Sequence, residues 1–168
     1  MLVKESDGSP IEPVHKMGAY ITTRLKDLGW LDKDLVAGSG ISKGHISKLK
    51  NKTGEKLTAF AFYSIYKAFG DTCSDAAKQV YPDLNLSLDS YTPKKRNEFG
   101  AFMLQFEESK NSPEEVAAKT GIDENRIKDI YFRKGAAVAY ELLLIEKAVG
   151  KELGELFEKF HKDKTGSR

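Results

Sequence analysis

The stretch Leu35-Val-Ala-Gly-Ser-Gly40-Ile-Ser-Lys-Gly-His45-Ile-Ser-Lys-Leu49 decides the fold of this chain. Its first residues read as a short helix that stops at Gly40, where a glycine takes the left-handed backbone conformation at little cost. Ile41 plugs the corner. Ser42 suits the N-cap of a second helix, because its hydroxyl can accept from the free N–H groups of the first turn. Ile46 and Leu49 lie three apart and share one face, which turns inward. The outward positions are then Lys43, Gly44, His45, Ser47, Lys48 and Lys50, followed by Lys52 in the loop. No acidic residue interrupts Ile41 to Gly54.

The same pattern returns further along. Laid on itself with a shift of 81 residues, the chain sets Leu25 on Phe106, Leu35 on Val116, Ala37 on Ala118 and Gly40-Ile41 on Gly121-Ile122. Ile46 then meets Ile127 and Leu49 meets Ile130. With one loop residue removed, Ile65 falls on Ile145, Lys67 on Lys147, Ala68 on Ala148, Gly70 on Gly150 and Ala76-Ala77 on Leu156-Phe157. Matches at apolar and glycine positions concern packing and turns, so the two halves are expected to share a fold. The repeat and the 3–4 spacing of apolar residues predict five helices in each half. They are Val14–Leu28, Asp32–Ser39, Ser42–Lys50, Thr58–Phe69 and Thr72–Val80, then Arg96–Lys110, Pro113–Thr120, Asp123–Phe132, Ala136–Val149 and Glu152–Phe160. Met17, Ile21, Leu25 and Leu28 form the apolar face of the first helix, as do Phe99, Met103 and Phe106 in its counterpart. Ser112-Pro113-Glu114-Glu115 is a helix start with a capping serine, a first-turn proline and two acids that complement the helix dipole. The expected organisation is an all-α chain with domains at 14–81 and 96–161. Between them, residues 82–95 carry two prolines, and the alternating Leu84, Leu86 and Leu88 suit an extended segment packed on a domain.

These residues resemble the lambda-repressor/Cro-like, Xre-type helix-turn-helix family, over Lys16–Val80 and again over Arg96–Phe160. The resemblance implies two five-helix domains in tandem. It also implies that the second helix of each motif enters a DNA major groove with its N-terminal residues at the base edges. On that basis Ser42, Lys43, Gly44 and His45 are candidates for base contact, with Ser47, Lys48, Lys50 and Lys52 beside them. Lysines there neutralise phosphates without choosing a sequence, and Gly44 permits close approach to a base. Solvated lysines and an idle histidine are the plain alternative. In the second copy Asn125, Arg126, Lys128 and Arg133 are the candidates. There Asp123, Glu124 and Asp129 oppose phosphate, so this copy either reads bases, packs on the first or forms a dimer. Both copies depart from the family where a glutamine often reaches a phosphate, since Asp32 and Pro113 stand there.

Composition sets the outer limits. The 168 residues carry 27 basic and 25 acidic side chains, a formal charge of +2, so a nucleic-acid reading must rest on where charges sit. Cys73 is the one cysteine. It permits no intrachain disulfide, reads as a small core residue and fits a reducing cytoplasm. Residues 1–14 are polar, without the apolar region of a signal peptide, and no apolar run approaches membrane-spanning length. His15, His45 and His161 are scattered, and no nucleophile elbow or phosphate-cradling glycine loop is present, so neither enzyme chemistry, metal nor cofactor is expected. Phe60, Phe62, Tyr63, Tyr66 and Phe69 cluster at helical spacing and read as core. The sequence thus points to a double-stranded DNA-binding transcriptional regulator of the repressor type, acting as a homodimer or an intramolecular pseudo-dimer. The alternative is a protein-interaction module on the same scaffold.

Overall fold

The computed structural model describes residues 1–88, 91–92, 95, 97–99, 111–133 and 135–165. The helix expected over Arg96–Lys110 lies outside them but for Asn97–Phe99. Among the described residues the chain is all-α, with nine helices and two isolated β-bridges in place of any strand. The first half carries α1 (Met17–Leu28), α2 (Asp32–Ser39), α3 (Lys43–Asn51), α4 (Ala59–Phe69) and α5 (Cys73–Val80). The second carries α6 (Pro113–Thr120), α7 (Glu124–Phe132), α8 (Ala139–Ala148) and α9 (Glu155–Thr165).

The local chemistry explains the boundaries. α2 ends at Gly40 (φ 70°) and α6 at Gly121 (φ 77°), both left-handed. Ser42 accepts from the His45 N–H to start α3, and Asp123 accepts from the Arg126 N–H to start α7. In α1 the buried face is Met17, Tyr20, Ile21 and Leu25, while Leu28, expected on that face, is exposed. The helix ends just beyond it at the left-handed Gly29, so Leu28 sits where the chain turns away. The helix expected from Ala136 starts at Ala139, because Ala137 and Ala139 are engaged elsewhere. Ala59 N–H donates to the Ala137 carbonyl at 3.0 Å and Ala139 N–H to the Leu57 carbonyl at 2.9 Å. This bridge joins Thr58 to Val138, equivalent positions of the repeat, and holds the starts of α4 and α8 side by side.

The apolar interior crosses the expected boundary between the halves. One buried cluster runs from α1 through α4 and α5 and takes in Ala139, Leu143 and Phe157. Phe157 on α9 is fully buried against the rings of Phe62 (5.5 Å) and Tyr66 (6.4 Å) on α4, a burial worth about 2–3 kcal/mol. Tyr63 donates to Glu158 at 3.0 Å, and the His161 ring stacks on Tyr63 at 5.5 Å. Gly154, just before α9, lies so close to α5 that a side chain there would stand 2.7 Å from the Cys73 Cβ. A second cluster gathers Val116, Ile122, Ile127, Leu144 and Ile145, closed by Leu2. The Leu2 N–H donates to the Thr120 carbonyl at 2.7 Å. Leu84 and Leu86 pack on both clusters and Leu88 on the second, so after a turn at Pro82–Asp83 the chain runs along the seam over 84–88. Among the described residues no helix is long and apolar enough to cross a membrane.

Candidate nucleic-acid interface

The placement of α3 starts in the turn before it. The Ser39 hydroxyl donates to the Leu35 carbonyl at 2.6 Å and accepts from the Ile41 N–H at 3.1 Å. This small ring fixes the angle between α2 and α3. Thr120 repeats it in the second half, donating to the Val116 carbonyl at 2.8 Å and accepting from the Ile122 N–H at 3.2 Å. Ile46 is fully buried and Leu49 nearly so, which fixes the rotation of α3 about its axis. Its far end is set by α1. A Cβ on Gly18 would stand 2.8 Å from the Lys50 carbonyl oxygen and 2.9 Å from that of Leu49, so only glycine allows this approach.

Rotation fixed in this way turns Ser42, Lys43, Gly44, Ser47 and Lys48 to the exterior, and Lys52 is exposed just past the helix. His45 is half-buried. Lys50 is drawn aside, its ammonium 2.8 Å from Asp32. Asp32 opens α2, and Asp34 folds back to accept from the Leu31 N–H at 2.8 Å. Carboxylates therefore occupy the helix start that the family resemblance would offer to a phosphate. Gly44 is a different glycine from Gly18: nothing lies within 4 Å of where its Cβ would be. Packing within the chain does not require it. The result is a convex, acid-free rod with three lysines and two hydroxyls on its outer side. Such a surface can neutralise phosphates and present short donors and acceptors to base edges.

The equivalent helix α7 is electrically closed. Arg126 points back into the molecule, its Nε and Nη2 each 2.7 Å from a carboxylate oxygen of Glu141, and Nη2 also donates to the Ala136 carbonyl at 2.9 Å. Glu141 is 1% exposed and also accepts from the Val138 N–H at 2.9 Å. Its carboxylate raises the guanidinium pKa further, chiefly through their hydrogen bonds. Lys128 lies 2.6 Å from Glu124 and 3.4 Å from Glu114, and the bond to Glu124 is the main cause of its raised pKa. Arg133 is hydrogen-bonded to Asp129. Asn125 is exposed. Where α3 ends in Lys50 and Asn51, α7 ends in Tyr131 and Phe132, which are 40% and 73% exposed.

The structure thus brings Ser42, Lys43, Gly44, Ser47, Lys48 and Lys52 together on one open face, with His45 half-buried beside it and Lys50 in an ion pair at its edge. Of the second set it ties Arg126, Lys128 and Arg133 into salt bridges and leaves Asn125 exposed. Several participants were invisible in sequence. Glu141 looks like any helix acid, and its role depends on a fold that brings Arg126 to it. The Ser39–Thr120 pair did carry a signal: both hydroxyls precede the turn glycine at matching repeat positions. Among the described residues no group of three or more His, Cys, Asp or Glu side chains could hold a metal. No family model, curated protein or solved structure matches this chain.

Proposed function

We propose that the chain is a sequence-specific, double-stranded DNA-binding regulator of the lambda-repressor/Cro type. It consists of two tandem helix-turn-helix units, of which the first reads the major groove through α3. The observation that carries this reading is the outer face of α3, where Ser42, Lys43, Gly44, Ser47 and Lys48 stand exposed with no acid among them. Coulombic attraction to phosphate gives affinity, and the hydroxyls and the bare Gly44 give the helix start access to base edges. The test is fluorescence anisotropy with a random duplex pool at two salt concentrations, on the wild type and on Lys43→Glu/Lys48→Glu. The wild type is expected to bind with a steep salt dependence. The double variant should lose that binding and flatten the slope by about two counterions. Equal binding by both proteins would sink the assignment. Selection of duplexes from the same pool then gives the operator.

For the second unit the closed ion pairs of α7 and its exposed Tyr131 and Phe132 favour protein contact over base reading. A duplex approaching α7 would have to break Lys128 from Glu124 and Arg133 from Asp129 before gaining a phosphate.

A further inference from the structure

We propose that the cavity on the seam beside the α3–α4 loop binds a small organic ammonium ion, held by the rings of His15, Tyr81 and Tyr140 and by the carboxylates of Glu12 and Glu55. The cavity measures about 530 Å³, within the range of about 300–1,000 Å³ usual for ligand pockets. Its walls come from both halves of the chain. The first half supplies the strap 12–15, the loop 54–57 and Tyr81, and the second supplies Arg126 and the start of α8. Elsewhere the seam is closed by apolar packing, through Leu84, Leu86 and Phe157. Here it stays open, with a polar rim and a buried floor. Glu12 and Lys56 are exposed, while Leu57, Tyr81 and Glu141 are buried. Two hydrogen bonds fix the strap against the loop and α1. His15 Nε2 donates to the Glu55 carbonyl at 2.5 Å, and its Nδ1 accepts from the Met17 N–H at 3.3 Å.

Rings and charges together select a cation. Tyr81 is the middle of three rings, with His15 at 6.4 Å and 82° and Tyr140 at 6.3 Å and 77°. An aromatic face carries negative potential and attracts a cation within about 6 Å of its centroid, and several rings set at angles to one another make a box for an ammonium ion. Burial above all, with Glu12 and Glu141 adding to it, pushes the Tyr81 and Tyr140 phenols up. Both rings therefore stay neutral, and Glu12 lies within electrostatic range of both. Arg126 brings no spare charge, because Glu141 takes it through two bonds of 2.7 Å. Among the described residues the lining side chains of Glu12, Glu55 and Lys56 are in no ion pair. Two carboxylates against one ammonium leave the lining negative, so an anion is repelled and a cation gains both Coulombic and ring contacts. The proposal does not depend on DNA binding by α3.

Titration of the full chain, followed by calorimetry and by backbone amide NMR shifts, tests this with two cations and their uncharged counterparts. Choline is compared with 3,3-dimethylbutanol, and phenethylammonium with 2-phenylethanol and the anion 3-phenylpropionate. At least one ammonium ion is expected to saturate with a Kd of about 1 mM or tighter, about tenfold below that of its neutral counterpart. The amide shifts should move at Glu55, Lys56, Tyr81 and Tyr140. Glu12→Gln/Glu55→Gln changes side chains outside the core, so its far-UV circular dichroism should match the wild type while the Kd rises about tenfold. Tyr140→Phe keeps the ring and should keep the affinity, whereas Tyr140→Leu should weaken binding about tenfold. If Tyr140→Leu fails to fold, the carboxylate variant decides alone. No saturation by either cation up to about 10 mM would overturn the proposal, as would equal or tighter binding of the neutral or anionic counterparts. Shifts confined to another part of the molecule, or a Kd indifferent to Glu12→Gln/Glu55→Gln, would overturn it as well.

Discussion

Two glycines on neighbouring helices show how different reasons can place one residue type. Gly18 is there because α1 and α3 touch through their backbones. Gly18→Ala must push a methyl group to 2.8 Å from the Lys50 carbonyl oxygen, so the helices separate. It should lose about 1–3 kcal/mol in urea denaturation, the usual cost of overpacking. Gly44→Ala meets no atom within 4 Å. Its stability should change by no more than about 1 kcal/mol, in the stabilising direction, while duplex affinity in the anisotropy assay falls. An unchanged affinity would remove Gly44 from the base-reading set. Sequence distinguished these two only in part. The openness around Gly44 follows from its position opposite Ile46 and Leu49, which period and capping already place. The crowding at Gly18 arises between helices far apart in the chain, and no local pattern reports it. Arg126 is similar: its exposed-looking position gives no sign that Glu141, fifteen residues on, needs its charge.

At the scale of the element, α9 is the helix whose partner sequence could not name. The buried Phe157 and His161 look the same in a list of residues whether they serve their own half or the other. In the structure His161 is 4% exposed and surrounded by the rings of Phe60, Tyr63, Phe157 and Phe160. Its Nδ1 lies 3.2 Å from the Phe157 carbonyl oxygen, to which an N–H there donates. Burial, aided by Lys164, holds the imidazole pKa below its ordinary 6.5. The unfolded chain therefore takes up the proton more readily than the folded one. Stability from this site is complete above about pH 6.5 and drains away as pH falls toward the folded value. Chemical denaturation at about pH 7.5 and about pH 5.5 should show this loss. His161→Phe keeps the ring packing and should remove the part of the loss that comes from this site. An identical pH dependence in the variant would mean that other groups carry it. By contrast, α2, α3, α6 and α7 were placed by their caps and turn glycines, since those signals are confined to a few adjacent residues.

For the molecule as a whole, the repeat was legible because it is written at apolar and turn positions. The change of composition across 82–95 suggested a division that the packing does not respect. Leu84 and Leu86 lie on both clusters, Phe157 enters the first one, and the Thr58–Val138 bridge ties α4 to α8. Proline and polar residues mark a turn in the chain, but they do not tell whether the elements on either side bury one surface or two. A shared interior predicts a single cooperative unfolding transition. Trp30, which packs on Phe69 in the first half, reports one side of the seam, and far-UV circular dichroism reports all helices. Their denaturation midpoints should coincide, and two resolved midpoints would show the halves melting independently. The joint between α5 and Gly154 has a consequence of its own. Burial pushes the Cys73 thiol up to about 12, and the backbone of the second half is pressed against its Cβ. A sulfur so placed stays chemically silent while the halves are joined, and wakes as a nucleophile only in molecules that have come apart. The chain thus carries its own tamper seal, a single atom whose reactivity counts how often the seam opens.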